Sequence, residues 1–259
     1  MENLLVDRGQ FIESVQFSEA TYSVPKLAFV IPTYNHSIEV PLAEIQQLFD
    51  ENEKDVIIVD DASTREVPRS GDQNTILVKH DVNLGLAQSL IHGYRKALET
   101  TAEIIIRTDP DGEYPISAVP KALDILSDKQ NAGAFVEYRR SLKTNGLADA
   151  SFHGIMGYVE GNMLLGFPMN QHSPGLQIYQ RETVEKMLPI LEEYVRTSKI
   201  RWGLDLVSIR LASEFGNVVP ITLESHDWKE RRPLKKILSQ FTTATKIIIT
   251  DKTVGFNKK

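Results

Sequence analysis

Short apolar runs separated by helix-like stretches constrain this chain more than any other feature. KLAFVIPTY (26–34), DVIIVDD (55–61), TILVKHD (75–81), EIIIRTD (103–109) and GAFVEYR (133–139) are brief and almost continuously apolar, so they read as buried strands. Between the third and fourth lies GLAQSLIHGYRKALETT, in which Leu86, Leu90, Ile91, Tyr94, Ala97 and Leu98 recur at helical spacing behind a glycine-marked start. Residues 38–50 and 118–128 also read as helices. Alternation of this kind predicts an α/β fold, a mainly parallel sheet with helices on both faces. The second half adds a strand, GLQIYQ, helices over 181–198 and 203–215, and a strand, NVVPITLES. Residues 144–166 are glycine-punctuated and weakly periodic, and read as a substrate-facing segment. There is no internal repeat and no low-complexity linker, so a single domain is expected.

Composition narrows the function classes. The 259 residues contain no cysteine, which excludes disulfides, thiol nucleophiles and thiolate zinc sites. No window approaches the ~20 apolar residues of a membrane span, and MENLLVDRGQFIESVQ lacks the layout of a signal peptide. A cytoplasmic protein is the expectation, with no nucleic-acid partner. The net charge of −6 hides an asymmetry: residues 229–259 carry nine Lys/Arg against two acids, a net of +7, and the preceding residues −13. This basic arm is either a solvated tail or a positive surface for phosphates or an anionic membrane.

In an open parallel sheet, ligands sit beyond the carboxyl ends of the strands. Three of the first four strands end there in Tyr34-Asn35, Asp60-Asp61 and Asp109, and the last of these opens the stretch TDPDGEYP (108–115). Asp109, Asp111 and Glu113 repel one another, so a positive partner is expected among them. Hard oxygen ligands suit Mg²⁺ or Mn²⁺, and Mg²⁺ takes only one or two carboxylates when a substrate phosphate supplies the rest. The plainer reading makes Asp111 or Glu113 a cap for the segment that follows.

VIPTYN (30–35), IIVDDAS (57–63), NLGLAQSLIHG (83–93) and DPDGEYP (109–115) resemble, in order and spacing, the family 2 glycosyltransferases of the GT-A fold. SPGLQIYQRE (173–182) and WGLDLVSIRLASEFGNVVPITLES (202–225) are similar to the second half of the dolichyl- and polyprenyl-phosphate sugar transferase branch. The resemblance covers residues 26–233, leaving 1–25 as an N-terminal extension and 234–259 as the basic C-terminal arm. It implies a Rossmann-like sheet and an inverting transfer from a nucleotide-sugar donor. Pro32, Tyr34, Asp60 and Asp61 would hold base and ribose. Asp109 and Asp111 would form a D-x-D pair bridging ribose, diphosphate and a divalent metal, with Glu113 where that branch often has a glutamine ligand. On this reading the metal relieves the repulsion.

Further roles follow from the chemistry. Arg139 or Arg140, and Arg231 or Arg232 in the arm, offer fork-shaped donors to phosphate oxygens. Asp205, in WGLDL, is the candidate general base for a hydroxyl acceptor; otherwise it is a carboxylate favoured at a helix N-terminus. His153, His172 and His226 are weaker candidates, and Trp202 and Trp228 could stack on a sugar. The branch carries Lys and Arg where an acceptor phosphate is met, whereas residues 144–166 contain none, and NQHSPG replaces its acid. A hydroxyl acceptor is therefore expected over a lipid phosphate. Two other readings are a homologue that binds sugar nucleotide without turnover and a phospho-acceptor signalling module. The latter is disfavoured because KLAFVIPTY precedes the acidic pair.

Overall fold

A computed structural model describes residues 25–67, 74–139, 154–159, 162, 169–170 and 174–224. The elements are β1 (Leu27–Thr33), α1 (Glu39–Leu48), β2 (Lys54–Asp60), β3 (Thr75–Lys79), α2 (Leu86–Leu98), β4 (Ile104–Arg107) and α3 (Val119–Leu126). They continue with β5 (Asn131–Arg139), β6 (Leu176–Gln180), α4 (Arg181–Ser198), α5 (Leu204–Ala212) and β7 (Asn217–Glu224). One seven-stranded sheet runs in the order β3-β2-β1-β4-β6-β5-β7. All neighbours are parallel except β6, which is antiparallel to both β4 and β5.

The apolar runs are continuous because both faces of the sheet are covered. Period-two alternation splits β1 cleanly. Ala28 and Val30 join Leu90, Ile91 and Tyr94 of α2 and Leu191 of α4 on one face. Leu27, Phe29 and Ile31 join Leu42 and Ile45 of α1 and Ala122 and Leu126 of α3 on the other. Full burial of an aliphatic or aromatic side chain contributes ~1.5–3 kcal/mol, so β1, buried throughout, anchors the fold. Arg181 locks the second half to the first. Its guanidinium donates to the carbonyls of Leu98, Thr100 and Ala102 just past α2, where a cation also complements the helix dipole.

Pro32 sits within a central strand, where a proline needs a reason. Thr108 N donates to Val30 O at 3.1 Å across the β1–β4 seam, so alternate residues of β1 face β4. Pro32 faces the same way, but the β1–β4 ladder has already ended at Val30↔Arg107. Its missing N–H falls at the first position beyond the ladder, and the seam opens where the 108–115 loop departs. On its other side β1 stays paired with β2 up to Thr33↔Asp60. The carboxyl ends of β1, β2 and β4 thus meet at one rim, as the strand pattern predicts.

Candidate functional site

Two loops form the first wall of this rim. Asn35, left-handed at φ 58°, accepts from Thr64 N and the Thr64 hydroxyl at 2.9 Å through its Oδ1. Its own backbone N–H donates to Ser63 Oγ at 2.9 Å. Asp60 is buried and its Oδ1 accepts from Ser63 N at 2.8 Å. Ala62 also takes a positive φ of 63°, a conformation costing a non-glycine residue ~1–2 kcal/mol; the hydrogen bonds on either side hold it there. Tyr34, 46% exposed, stands at the edge of this wall with its ring available for stacking.

Asp61 does not stand open in the cleft. It is buried, and both its oxygens are engaged: Oδ1 by Leu84 N at 2.7 Å and His80 Nδ1 at 2.8 Å, Oδ2 by Gly85 N at 2.8 Å. Gly85 precedes α2 at φ 94° and has no side chain to cap the helix, so a carboxylate from another strand takes that place. The Ala87 N–H is used by Arg201 O at 3.0 Å. The N–H groups of Gly85 and Ala87 at the helix start are thereby satisfied within the protein. Asp61, expected from the resemblance at the base and ribose, ties the end of β2 to the start of α2.

Behind Asp61 runs a chain of imidazoles. A carboxylate accepts, so His80 carries its proton on Nδ1. Its Nε2, 2.8 Å from His92 Nδ1, then accepts from that nitrogen. His92 Nε2 lies 3.0 Å from the Gln88 amide nitrogen and accepts in turn. Burial lowers the His92 pKa, reinforced by His80 and Arg95, which favours this neutral arrangement. Neither histidine stands out in the sequence, because a lone His in a strand or helix carries no periodic signal.

The second wall centres on Arg107, a residue the strand pattern hides as the last position of β4. Its side chain is 1% exposed. Nη2 lies 2.8 Å from Asp109 Oδ1 and 3.0 Å from Asp205 Oδ1, so one nitrogen serves two carboxylates. Burial alone would lower its pKa, but Asp109 and Asp205 outweigh that and raise it, so the guanidinium stays charged. The positive partner expected among the acids of TDPDGEYP is thus supplied, for Asp109, by the chain itself. The sequence signal was present: an arginine in a buried strand must find carboxylates, and Asp109 is two residues away.

Asp109 is aimed inward. Its Oδ2 rests against Gly175, where an added Cβ would lie 1.9 Å from that oxygen. Burial pushes its carboxyl up to about 7; Arg107 opposes this, and Asp205, Asp111 and Glu113 add to it. Asp111 is exposed, and its Oδ1 accepts from Glu113 N at 3.0 Å. Glu113 is buried, and its carbonyl accepts from the Tyr138 hydroxyl at 2.9 Å. The three carboxylates are not drawn to one point, and among the described residues no three acidic or imidazole groups are arranged to hold a metal. The set fits a divalent ion that takes one outward carboxylate, Asp111, and completes its shell from phosphate oxygens and water.

Asp205 opens α5 and is buried beside Arg107. Gln177, fully buried, donates to Pro174 O at 2.9 Å and Asp205 O at 3.1 Å. The loop carrying Gly175 and the start of α5 therefore share one support. Trp202 is 64% exposed, at the rim rather than in the core. Arg139, at the far end of β5, forms an exposed pair with Glu224 at 3.2 Å and meets neither Asp109 nor Asp205. Arg140, His153, His172, His226, Trp228, Arg231, Arg232 and most of 144–166 lie outside the described residues. So do nearly all of the N-terminal extension and all of the basic arm.

A model of glycosyl transferase family 2 matches residues 28–188. An undecaprenyl-phosphate mannosyltransferase of Micrococcus luteus is 26% identical over 170 residues, 60% of this chain and 66% of that protein. A mannosyltransferase from Pyrobaculum calidifontis, solved with GDP-Man and Mn²⁺, superposes with a TM-score of 0.54 at 20% identity, over 81% of this chain and 59% of its own. Mannosyl-3-phosphoglycerate synthase from Rubrobacter xylanophilus gives 0.56 at 13% identity, over 91% and 76%. Glucosyl-3-phosphoglycerate synthase from Mycobacterium tuberculosis, with phosphoglyceric acid, gives 0.54 at 19%, over 87% and 79%. The chain spans 66% of the curated relative and 59% of the first of these structures. At these identities the structures establish a shared fold, GT-A.

Proposed function

Because this chain belongs to glycosyl transferase family 2, we propose that it moves a sugar from a nucleotide-sugar donor to an acceptor hydroxyl, with inversion at the anomeric carbon. The observation that carries this reading is the cleft floor, where Asp109 and Asp205 share Arg107 Nη2 and Asp111 faces out beside them. Tyr34 and the Asn35–Ser63–Asp60 wall would receive base and ribose, with Pro32 holding the seam open. Asp61 would act by fixing the turn before α2. Asp109 would orient the donor from within.

Asp111 would hold Mg²⁺ or Mn²⁺, which as a Lewis acid would stabilise charge on the departing nucleoside diphosphate. The Pyrobaculum and Mycobacterium proteins were solved with Mn²⁺ and nucleotide, which supports a metal here. Asp205, which shares Arg107 Nη2 with Asp109, would accept the acceptor's proton. Arg139, Arg231 and Arg232 remain candidates for phosphate contact. Among the described residues no helix is long and apolar enough to cross a membrane; the basic arm would touch an anionic membrane from the cytoplasmic side.

One second reading has specific support. The Micrococcus relative is named for a polyprenyl-phosphate acceptor, and a phosphate is anionic at neutral pH without a base. The pairing of Asp205 with a buried guanidinium fits that case as well, since no proton need be taken. Assay of both acceptor classes with the wild type and Asp205→Asn separates the two. For a hydroxyl acceptor the variant should lose ~10²–10⁴-fold in turnover. Robust transfer to polyprenyl phosphate, with turnover at saturating donor unaffected by the substitution, would overturn the hydroxyl reading.

A further inference from the structure

The geometry points to Arg107 as a positioning residue that couples the donor side of the cleft to its acceptor side. The inference rests on the proposed function for the meaning of those two sides, but its structural basis is independent. One nitrogen, Nη2, is placed 2.8 Å from Asp109 Oδ1 and 3.0 Å from Asp205 Oδ1. These carboxylates come from distant parts of the chain, the loop after β4 and the first turn of α5. The guanidinium between them is buried, and its Nε meets no hydrogen-bond acceptor among the described residues. A group kept only for stability would be expected to satisfy that buried donor.

The sharing sets a competition. Whatever draws Asp109 toward a bound nucleotide loosens its hold on Nη2 and leaves more of the guanidinium's attraction for Asp205. Conversely, neutralising Asp205 gives Nη2 wholly to Asp109 and holds that carboxylate back from the donor. Neighbours restrict any other response. Gly175 leaves no slack around Asp109 Oδ2, and Gln177 ties the Asp205 carbonyl to the Pro174 carbonyl. Donor binding and the position of the acceptor-side carboxylate are therefore linked through one side chain, and linkage of binding free energies is reciprocal.

Nucleotide affinity tests this without any acceptor. UDP and GDP are titrated with Mn²⁺ into the wild type, Asp205→Asn, Arg107→Met and the double variant, and the tighter nucleotide is carried forward. Asp205→Asn should weaken binding by about threefold to tenfold, and the same substitution in the Arg107→Met background by less than about twofold, a coupling typical of residues in one charge network. Arg107→Lys covers the case in which the methionine variant fails to fold. A lysine is a point charge without the fork, so Asp205→Asn should have a smaller effect there than in the wild type. Unchanged affinity in Asp205→Asn, or equal losses with and without Arg107, would overturn the coupling while leaving the donor reading intact. Failure of the wild type to bind either nucleotide would overturn both.

Discussion

Gly175→Ala should disable the donor site while leaving the fold in place. The added Cβ would lie 1.9 Å from Asp109 Oδ2, 2.7 Å from its Cγ and 2.5 Å from Tyr114 Cε2, against an ordinary contact of 3.4–4 Å. Gly175 has no left-handed φ, so the cost is one of space, not backbone strain. Asp109 would have to withdraw by about 1.5 Å, yet Arg107 holds its other oxygen and the Tyr114 ring is buried. Overpacking of this kind costs ~1–3 kcal/mol, and a chain of this size loses ~2–4 °C in melting temperature per kcal/mol. A fall of only ~2–12 °C is expected, whereas misplacing a catalytic group by ~1 Å can cost ~10²-fold in turnover. Thermal unfolding, donor turnover and titration of a nucleoside diphosphate with Mn²⁺, run on the same preparations, measure these effects. A folded variant that binds nucleotide as the wild type does would refute the placement of Asp109 in the donor site.

Two further outcomes follow from the charges. Asp61→Ala strands the N–H groups of Leu84, Gly85 and His80, each worth ~1 kcal/mol or more, so melting should drop by ~6 °C or more; an unchanged melting curve would contradict its role as a tie. Asp109, with its carboxyl raised to about 7 chiefly by burial, favours a cation on neighbouring Asp111 only when ionised, so Mn²⁺-dependent nucleotide affinity should rise from pH 6 to 8 with proton release on binding. The same raised value means that, without metal, the stability from protonated Asp109 is present at low pH and lost as pH rises through about 7. Titrations at several pH values in buffers of different ionisation enthalpy check the release, and a flat profile would refute it.

The sheet was legible because its strands are buried on both faces: an apolar run such as Leu27–Ile31 leaves few alternatives, and helix α4 lies over 181–198 as its periodicity predicts. The reversal of β6 was not, since direction within a mixed sheet depends on how the chain returns, and an apolar run reads the same both ways. Among site residues, the acids were visible as a cluster but their directions were not. Asp61 ends its strand like an open ligand, yet the N–H groups that engage it belong to residues 84 and 85. Arg107 was masked by the apolar strand that carries it: Asp109, two residues on, is a local partner, but the pairing with Asp205 spans 98 positions.

If a divalent ion on Asp111 carries the donor's diphosphate, isothermal titration of a nucleoside diphosphate with and without Mn²⁺ will register it. Wild-type protein should bind far more tightly with the metal, and Asp111→Ala should lose most of that gain. Equal wild-type affinity with and without Mn²⁺ would contradict that assignment.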